Sequence, residues 1–215
     1  MLEKRIVEEL KQDLKQVFSD YYEAAGGKNF RYHHLVRTHK HVKKLMEKEE
    51  VRQKDFDEEV VEVAALFHDI GRKEDIEDGY LDPLEMHEGH AEKGAEIVSE
   101  YVSEYLSENQ LKKVEEVIRN HHSEPETVEG MILQDCDALS NFGVNNLWRM
   151  IHYSAENERT LEGGIRYFWN EAVEEYQEKL EDFNFDVTRR VAEKRITDHQ
   201  EAIRTIEEEI NAEDI

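Results

Sequence analysis

Apolar side chains recur at the spacing of an α-helix along nearly the whole chain. Ile6, Leu10, Leu14, Val17, Phe18 and Tyr21 form a first stripe, which Gly26-Gly27 ends. A second helix is expected over 31–48, with Leu35, Val42, Leu45 and Met46 turned inward, followed by a charged stretch from Lys48 to Asp57. A third, over 57–70, carries VVEVAALFHDIG and is apolar almost all round near its end, the mark of a central helix that Gly71 is placed to stop. A polar loop over 73–83 follows, with Gly79 and Asp82-Pro83 as turn signals. Further helices are expected at 88–106, 108–121 and 127–141, then from near Val144 after a break at 141–143. After Gly163-Gly164, two more at 165–182 and 187–211 complete an all-α chain. Val187, Val191, Ile196, Ile203, Ile206 and Ile210 mark the last of these. The only prolines are Pro83 and Pro125, which favours long helices, and no strand pair or internal repeat is legible.

That periodicity decides how the composition is read. An apolar fraction of 38% against 37% charged residues would suggest disorder if the apolar residues were scattered. Because they are patterned, the sequence describes a folded chain under a thick charged coat. With 28 basic and 52 acidic residues the formal charge is −24, which argues against a nucleic-acid polymer as partner, since docking phosphates takes Lys and Arg. An anionic substrate would need a local positive centre, and a bound cation can supply one. The single cysteine, Cys136, excludes an intrachain disulfide and a Cys-rich zinc site. The opening MLEKRIVEELKQ has no apolar core, and no apolar run approaches the roughly 18 residues of a membrane span. A cytoplasmic, soluble protein is expected.

Among eleven histidines, placement carries the information. His68-Asp69 closes the most apolar helix, where a carboxylate is costly to bury without a cation or hydrogen-bonding partners. Imidazole beside carboxylate suits Mn, Fe, Co, Ni or Zn. Alone, the dipeptide reads more readily as an ordinary helix cap.

The surrounding segments change that balance. HHLVRTHKHVKKL from His33, VVEVAALFHDIGRK from Val60, MHEGHAEKGAEIV from Met86 and VIRNHHSEPETVEGMILQDCDALSNFG from Val117 together resemble the HD superfamily of metal-dependent phosphohydrolases, in particular its small stand-alone bacterial members. The resemblance covers about 31–150 and implies a single all-helical domain over 1–215, with residues 155–215 as a C-terminal helical extension. It implies His34, His68, Asp69 and Asp137 as ligands of a divalent cation, with Mg also admissible. His33, His39 and His41 then default to the surface or to supporting positions, and Asp135 to support or a cap. In such proteins water activated by the metal attacks phosphorus, and Asp69 could also accept a proton from it.

Arg37, Arg72, Lys73 and Arg149 lie beside the motifs, and Arg149 matches a position where similar proteins carry an arginine. His90 and His121, with His122 as the lesser alternative, resemble the extra histidines of two-metal members. The preferred expectation is one ion, with His90 and His121 lining the substrate pocket and sharing catalysis with Asp69 and Arg149. The expected activity is hydrolysis of a phosphoester or phosphoanhydride in a small molecule, a nucleotide first among them. A diiron oxygenase and a non-catalytic nucleotide sensor are the alternatives, and a homo-oligomer is left open.

Overall fold

The computed structural model describes residues 1–19, 21–23, 26–77 and 89–215, without the side chains of 75–77. Helix α1 (Lys4–Val17) leads into two very short strands, β1 (Tyr22–Glu23) and β2 (Gly27–Lys28), paired antiparallel with Glu23 opposite Gly27. This hairpin corrects the expectation of no strand pair. With two residues in each strand, no alternation of apolar and polar side chains could show in the sequence. Then come α2 (Phe30–Met46), α3 (Glu49–Arg52), α4 (Glu58–Phe67) and α5 (Arg72–Glu77). The expected loop from Lys73 is therefore helical as far as Glu77, and its remainder lies outside the described residues. Helices α6 (His90–Ile97), α7 (Ser99–Val102), α8 (Glu108–Arg119) and α9 (Val128–Ser140) follow.

Helix α4 is the hub. Every residue from Val60 to Phe67 is buried, and the helix packs against α2, α8 and α9. It begins where Asp57 accepts hydrogen bonds from the amides of Glu59 and Val60, an N-cap that satisfies two otherwise orphaned donors. Its one buried acid, Glu62, accepts the amide of Leu2 at 2.9 Å and pairs with Lys43 at 2.9 Å.

The C-terminal part consists of α10 (Asn146–Glu156), α11 (Leu161–Tyr167), a π-turn over Phe168–Ala172, α12 (Val173–Leu180) and α13 (Asp186–Asn211). Gly163-Gly164, expected to precede a helix, lie inside the first turn of α11. Thr160 caps that turn by accepting the amide of Gly163. These elements enclose a second apolar cluster around Phe142, Phe168, Tyr176, Phe183 and Ile196, which meets the first along α9. Of the α13 stripe, Ile196 and Ile203 are buried whereas Val191 and Ile210 are exposed.

His39 is not at the surface, one of the two places expected of it. Leu35, Thr38, His39 and Val42 share the buried stripe of α2, and both ring nitrogens of His39 lack a hydrogen-bond partner. Burial holds its pKa down at about 4, against Glu62 and Glu8, which raise it, and with Lys11 and Lys43, which lower it further. His199, buried in the second cluster, is also held at about 4 by burial. The unfolded chain therefore binds more protons than the folded one between about pH 6.5 and 4. Stability contributed by these neutral rings is complete above pH 6.5 and is lost as pH falls. His39 alone accounts for on the order of 2–3 kcal/mol by pH 4. Denaturant titrations of wild type and His39→Leu at pH 7 and pH 4.5 should show a smaller acid loss in the variant, and equal losses would refute the assignment.

Candidate metal centre

Three elements deliver the expected ligand set. Helix α2 presents His34, the C-terminal end of α4 presents His68 and Asp69, and α9 presents Asp137. Adjacent residues on a regular helix diverge by about 100°, yet His68 and Asp69 converge. The reason is local. Beyond Phe67 the chain makes three-residue turns, Ile70 to Phe67 and Arg72 to Asp69, instead of continuing α4. Gly71 does not end the helix through a positive φ. A methyl added there would lie 2.0 Å from the carbonyl oxygen of His90 and 2.6 Å from the amide nitrogen of Gly94, so Gly71 is what lets α6 approach.

His34 Nε2 lies 3.1 Å from His68 Nε2, 3.0 Å from Asp137 Oδ1 and 3.6 Å from Asp69 Oδ2, while His68 Nε2 is 3.5 Å from Asp137 Oδ1 and 3.6 Å from Asp69 Oδ2. Neighbouring ligands of an octahedral ion with bonds of about 2.1 Å stand about 3 Å apart, so these spacings suit a divalent cation. The ring orientations agree. His68 Nδ1 donates to the carbonyl of Ala65 at 3.2 Å, which leaves a lone pair on Nε2, and Ser140 Oγ holds His34 Nδ1 at 3.0 Å.

His90 and His121 lie in the same place. His90 Nε2 is 3.4 Å and His121 Nε2 4.0 Å from Asp69 Oδ1, the carboxylate oxygen turned away from His34 and His68. His121 Nδ1 donates to the carbonyl of Ile118 at 2.6 Å, so its buried Nε2 is a lone pair with no donor facing it. His122 joins them, its Nε2 3.0 Å from that of His90. Among the described residues two groups could thus hold an ion, His34-His68-Asp69 and His90-His121-His122, with Asp69 between them.

The electrostatics fit cations. Burial works against the charges of Asp69 and Asp137, yet Arg31 and His68 near the first, and His34 and His68 near the second, hold both carboxyls well below the usual range. Burial pushes His34 down and His121 down to about 3. His68 is raised, because Asp69 and Asp137 outweigh its burial.

Arg149 stands one ring away from His34. Its guanidinium lies 5.1 Å from the centre of the Phe30 ring, which stacks on His34 with centroids 6.0 Å apart, and it donates to Asn141 Oδ1. Arg37 sits 5.7 Å from the same ring, and Arg72 Nε donates to Asp69 Oδ1 at 3.2 Å. His33 is exposed, and His41 lies between the carbonyl of Cys136, 3.4 Å from its Nδ1, and Arg195, 3.2 Å from its Nε2. Arg31, Glu23 and Ser140 were missed in the sequence. Arg31 lies one turn before His34, so helical spacing placed it on the same face, but nothing in its type marked it. A cavity of about 620 Å³ opens beside His122 and Asp137 and is bounded further by Gln134, Lys179, Phe183 and Asn184.

The HD domain profile matches residues 31–141, just over half of the chain, and the chain belongs to the HD-domain family. HD domains bind divalent metals, and the His/Asp groups described here could hold them. The fold is that of known structures. An HD-superfamily hydrolase from Bacillus thuringiensis superposes with a TM-score of 0.68 at 21% identity, over 97% of this chain and 98% of that one. Bacillus subtilis YpgQ in complex with ADP gives 0.63 at 20% identity over 95% and 97%. The Lin1889 protein of Listeria innocua gives 0.64 at 18% over 98% of each. No curated protein matches the sequence. No helix among the described residues is long and apolar enough to cross a membrane.

Proposed function

We propose that the chain is a metal-dependent phosphohydrolase acting on a phosphoester or phosphoanhydride of a small molecule, a nucleotide in the first instance. One observation carries the reading: Asp69 turns Oδ2 to His34 and His68 and Oδ1 to His90 and His121. His34, His68, Asp69 and Asp137 form one ligand set. His90, His121 and His122 with the other oxygen of Asp69 form a second, so this geometry favours two ions over the single ion preferred from the sequence. Divalent cations bound there supply Lewis acidity toward both the attacking water and the phosphoryl oxygens. The chain's own part is to keep Asp69 and Asp137 ionised, to fix the ring orientations through Ser140, Ala65 and Ile118, and to present guanidinium groups next to the site. The ADP held by YpgQ, a protein of the same fold, supports a nucleotide as substrate. Manganese in a cytoplasmic setting, and one HD domain over the whole chain, belong to the same proposal.

The test is a hydrolysis screen over nucleoside mono-, di- and triphosphates with Mn, Co, Ni, Zn, Fe or Mg, reading orthophosphate and pyrophosphate separately. Turnover of at least one phosphate compound with at least one metal is expected. Silence across the screen, or oxygen-dependent turnover by an iron-loaded protein alone, would overturn the reading.

A further inference from the structure

Glu23, Arg31 and Asp69 form a buried ion triad that none of the ligand motifs requires. Their side chains are 6%, 10% and 5% exposed. Glu23 takes the side of the guanidinium, accepting from Nε at 3.3 Å and Nη2 at 2.6 Å, and Asp69 Oδ2 accepts from Nη1. An apolar group of the same size would fill the space without the desolvation of three charges, so neutralisation alone is a poor reason for the arrangement. Its geometry offers a better one. A guanidinium carries five N–H donors, of which three are engaged here. The remaining two sit one on each terminal nitrogen, and a guanidinium with a donor left on each can meet two oxygens of a phosphate.

The surroundings point the same way. Arg31, Arg37 and Arg149 gather within 5.1–5.7 Å of the Phe30 ring, beside His34, in a chain whose formal charge is −24. Burial lowers the pKa of Arg149 and repulsion from Arg31 lowers it further, so the two cations feel one another. An anion between or beside them would relieve that repulsion. Glu23 is held firmly enough to aim Arg31. Its hairpin is fastened to α10 by Tyr22 donating to Glu156 at 2.6 Å and by Trp148 Nε1 donating to the carbonyl of Gly26 at 3.2 Å. Gly27, at φ +80°, leaves no room for a Cβ beside His152.

We propose that Arg31 is a catalytic residue whose fork binds the phosphoryl group being cleaved and takes up the charge that develops on its oxygens, with Glu23 as its positioning residue. The role rests on the phosphohydrolase reading. It adds a direct protein contact to the transferred group, of the kind whose removal commonly lowers kcat about a hundredfold or more.

Arg31→Lys keeps the charge and loses the fork, and Arg31→Ala removes both. In the metal-loaded protein, Arg31→Lys should lower kcat about a hundredfold while leaving bound metal per chain unchanged. Added guanidinium should restore part of the activity of Arg31→Ala but none to Arg31→Lys. Glu23→Gln should lower kcat less, about tenfold. A measurement independent of turnover is calorimetric binding of inorganic phosphate to the metal-loaded protein, which should weaken at least tenfold in Arg31→Lys. Unchanged phosphate affinity and kcat in both Arg31 variants, with only thermal stability or metal content reduced, would make Arg31 a structural counter-ion and sink the proposal. If the wild type hydrolyses no phosphate compound, the phosphohydrolase reading fails, and the phosphate-binding comparison still decides whether Arg31 holds this anion.

Discussion

Asp69→Asn is expected to empty both histidine groups of metal while the helices remain. The carboxylate lies within 3.6 Å of His34 and His68 through one oxygen and 3.4 Å of His90 through the other, so a single substitution weakens two sets at once. An amide offers one neutral oxygen where two charged ones stood. Its nitrogen would present donors to imidazole lone pairs or to a cation. Loss of a mere supporting partner in a metal site lowers affinity or activity 10- to 100-fold, so loss of this ligand should exceed about a hundredfold in metal affinity, with turnover following it. The fold should survive, because Arg31 retains Glu23 and because removing one acid relieves crowding with Asp137. Elemental analysis of dialysed protein, beside far-ultraviolet circular dichroism, reads both effects. Wild-type metal content in this variant would remove the basis of the proposed chemistry.

Asp135→Ala should do the reverse. This aspartate is buried and accepts the amide of Asn184 at 2.9 Å, the side-chain amide of the same residue at 2.8 Å, the amide of Phe185 at 3.0 Å and the hydroxyl of Thr188. It thereby ties the start of α13 to α9, a capping role taken from outside the helix. Alanine would strand the buried amide of Phe185 and take one of its two acceptors from Thr188 Oγ1, which keeps the carbonyl of Phe185 at 2.8 Å. The loss is about 2–3 kcal/mol, given about 1–3 kcal/mol for a buried donor left unmet. In a chain of this length that lowers Tm by roughly 5–10 °C. Metal per folded chain should stay at the wild-type level, and a variant that melts normally but has lost metal would show the assignment of the two aspartates to be inverted.

Those two residues show where the sequence was legible. Asp135 and Asp137 differ by two positions in one helix, which turns them about 200° apart, so only one can face His34 and His68. The family resemblance selected Asp137, and helical geometry sent Asp135 to a cap. The helices were equally readable, since an apolar stripe states its own period: α2 and α9 depart from expectation by a residue or two at their ends. What stayed hidden depends on contacts between segments far apart in the chain. Glu23 and Arg31 are two charged residues among many, and only the hairpin and the end of α4 make them a triad with Asp69. The sequence ranked His122 below His121, yet it lies 3.0 Å from His90, because the turn after α8 lets both rings face α6. His39 was left to the surface or a supporting position once His34 was taken as the ligand, although Leu35 and Val42 already marked its stripe as interior.

The close passage of Gly71 under α6 has a consequence for how such a site tolerates change. His90 belongs to one rigid helix and Asp69 to the turn below it, and between them backbone lies against backbone with less than a methyl group to spare. The gap that separates the two histidine groups is therefore gauged by main chain, and side-chain repacking cannot adjust it. Loops and outer helices can drift in sequence while that dimension stays fixed. A chain of this kind can thus trade substrates through its exterior without retuning the spacing on which its metal chemistry would depend.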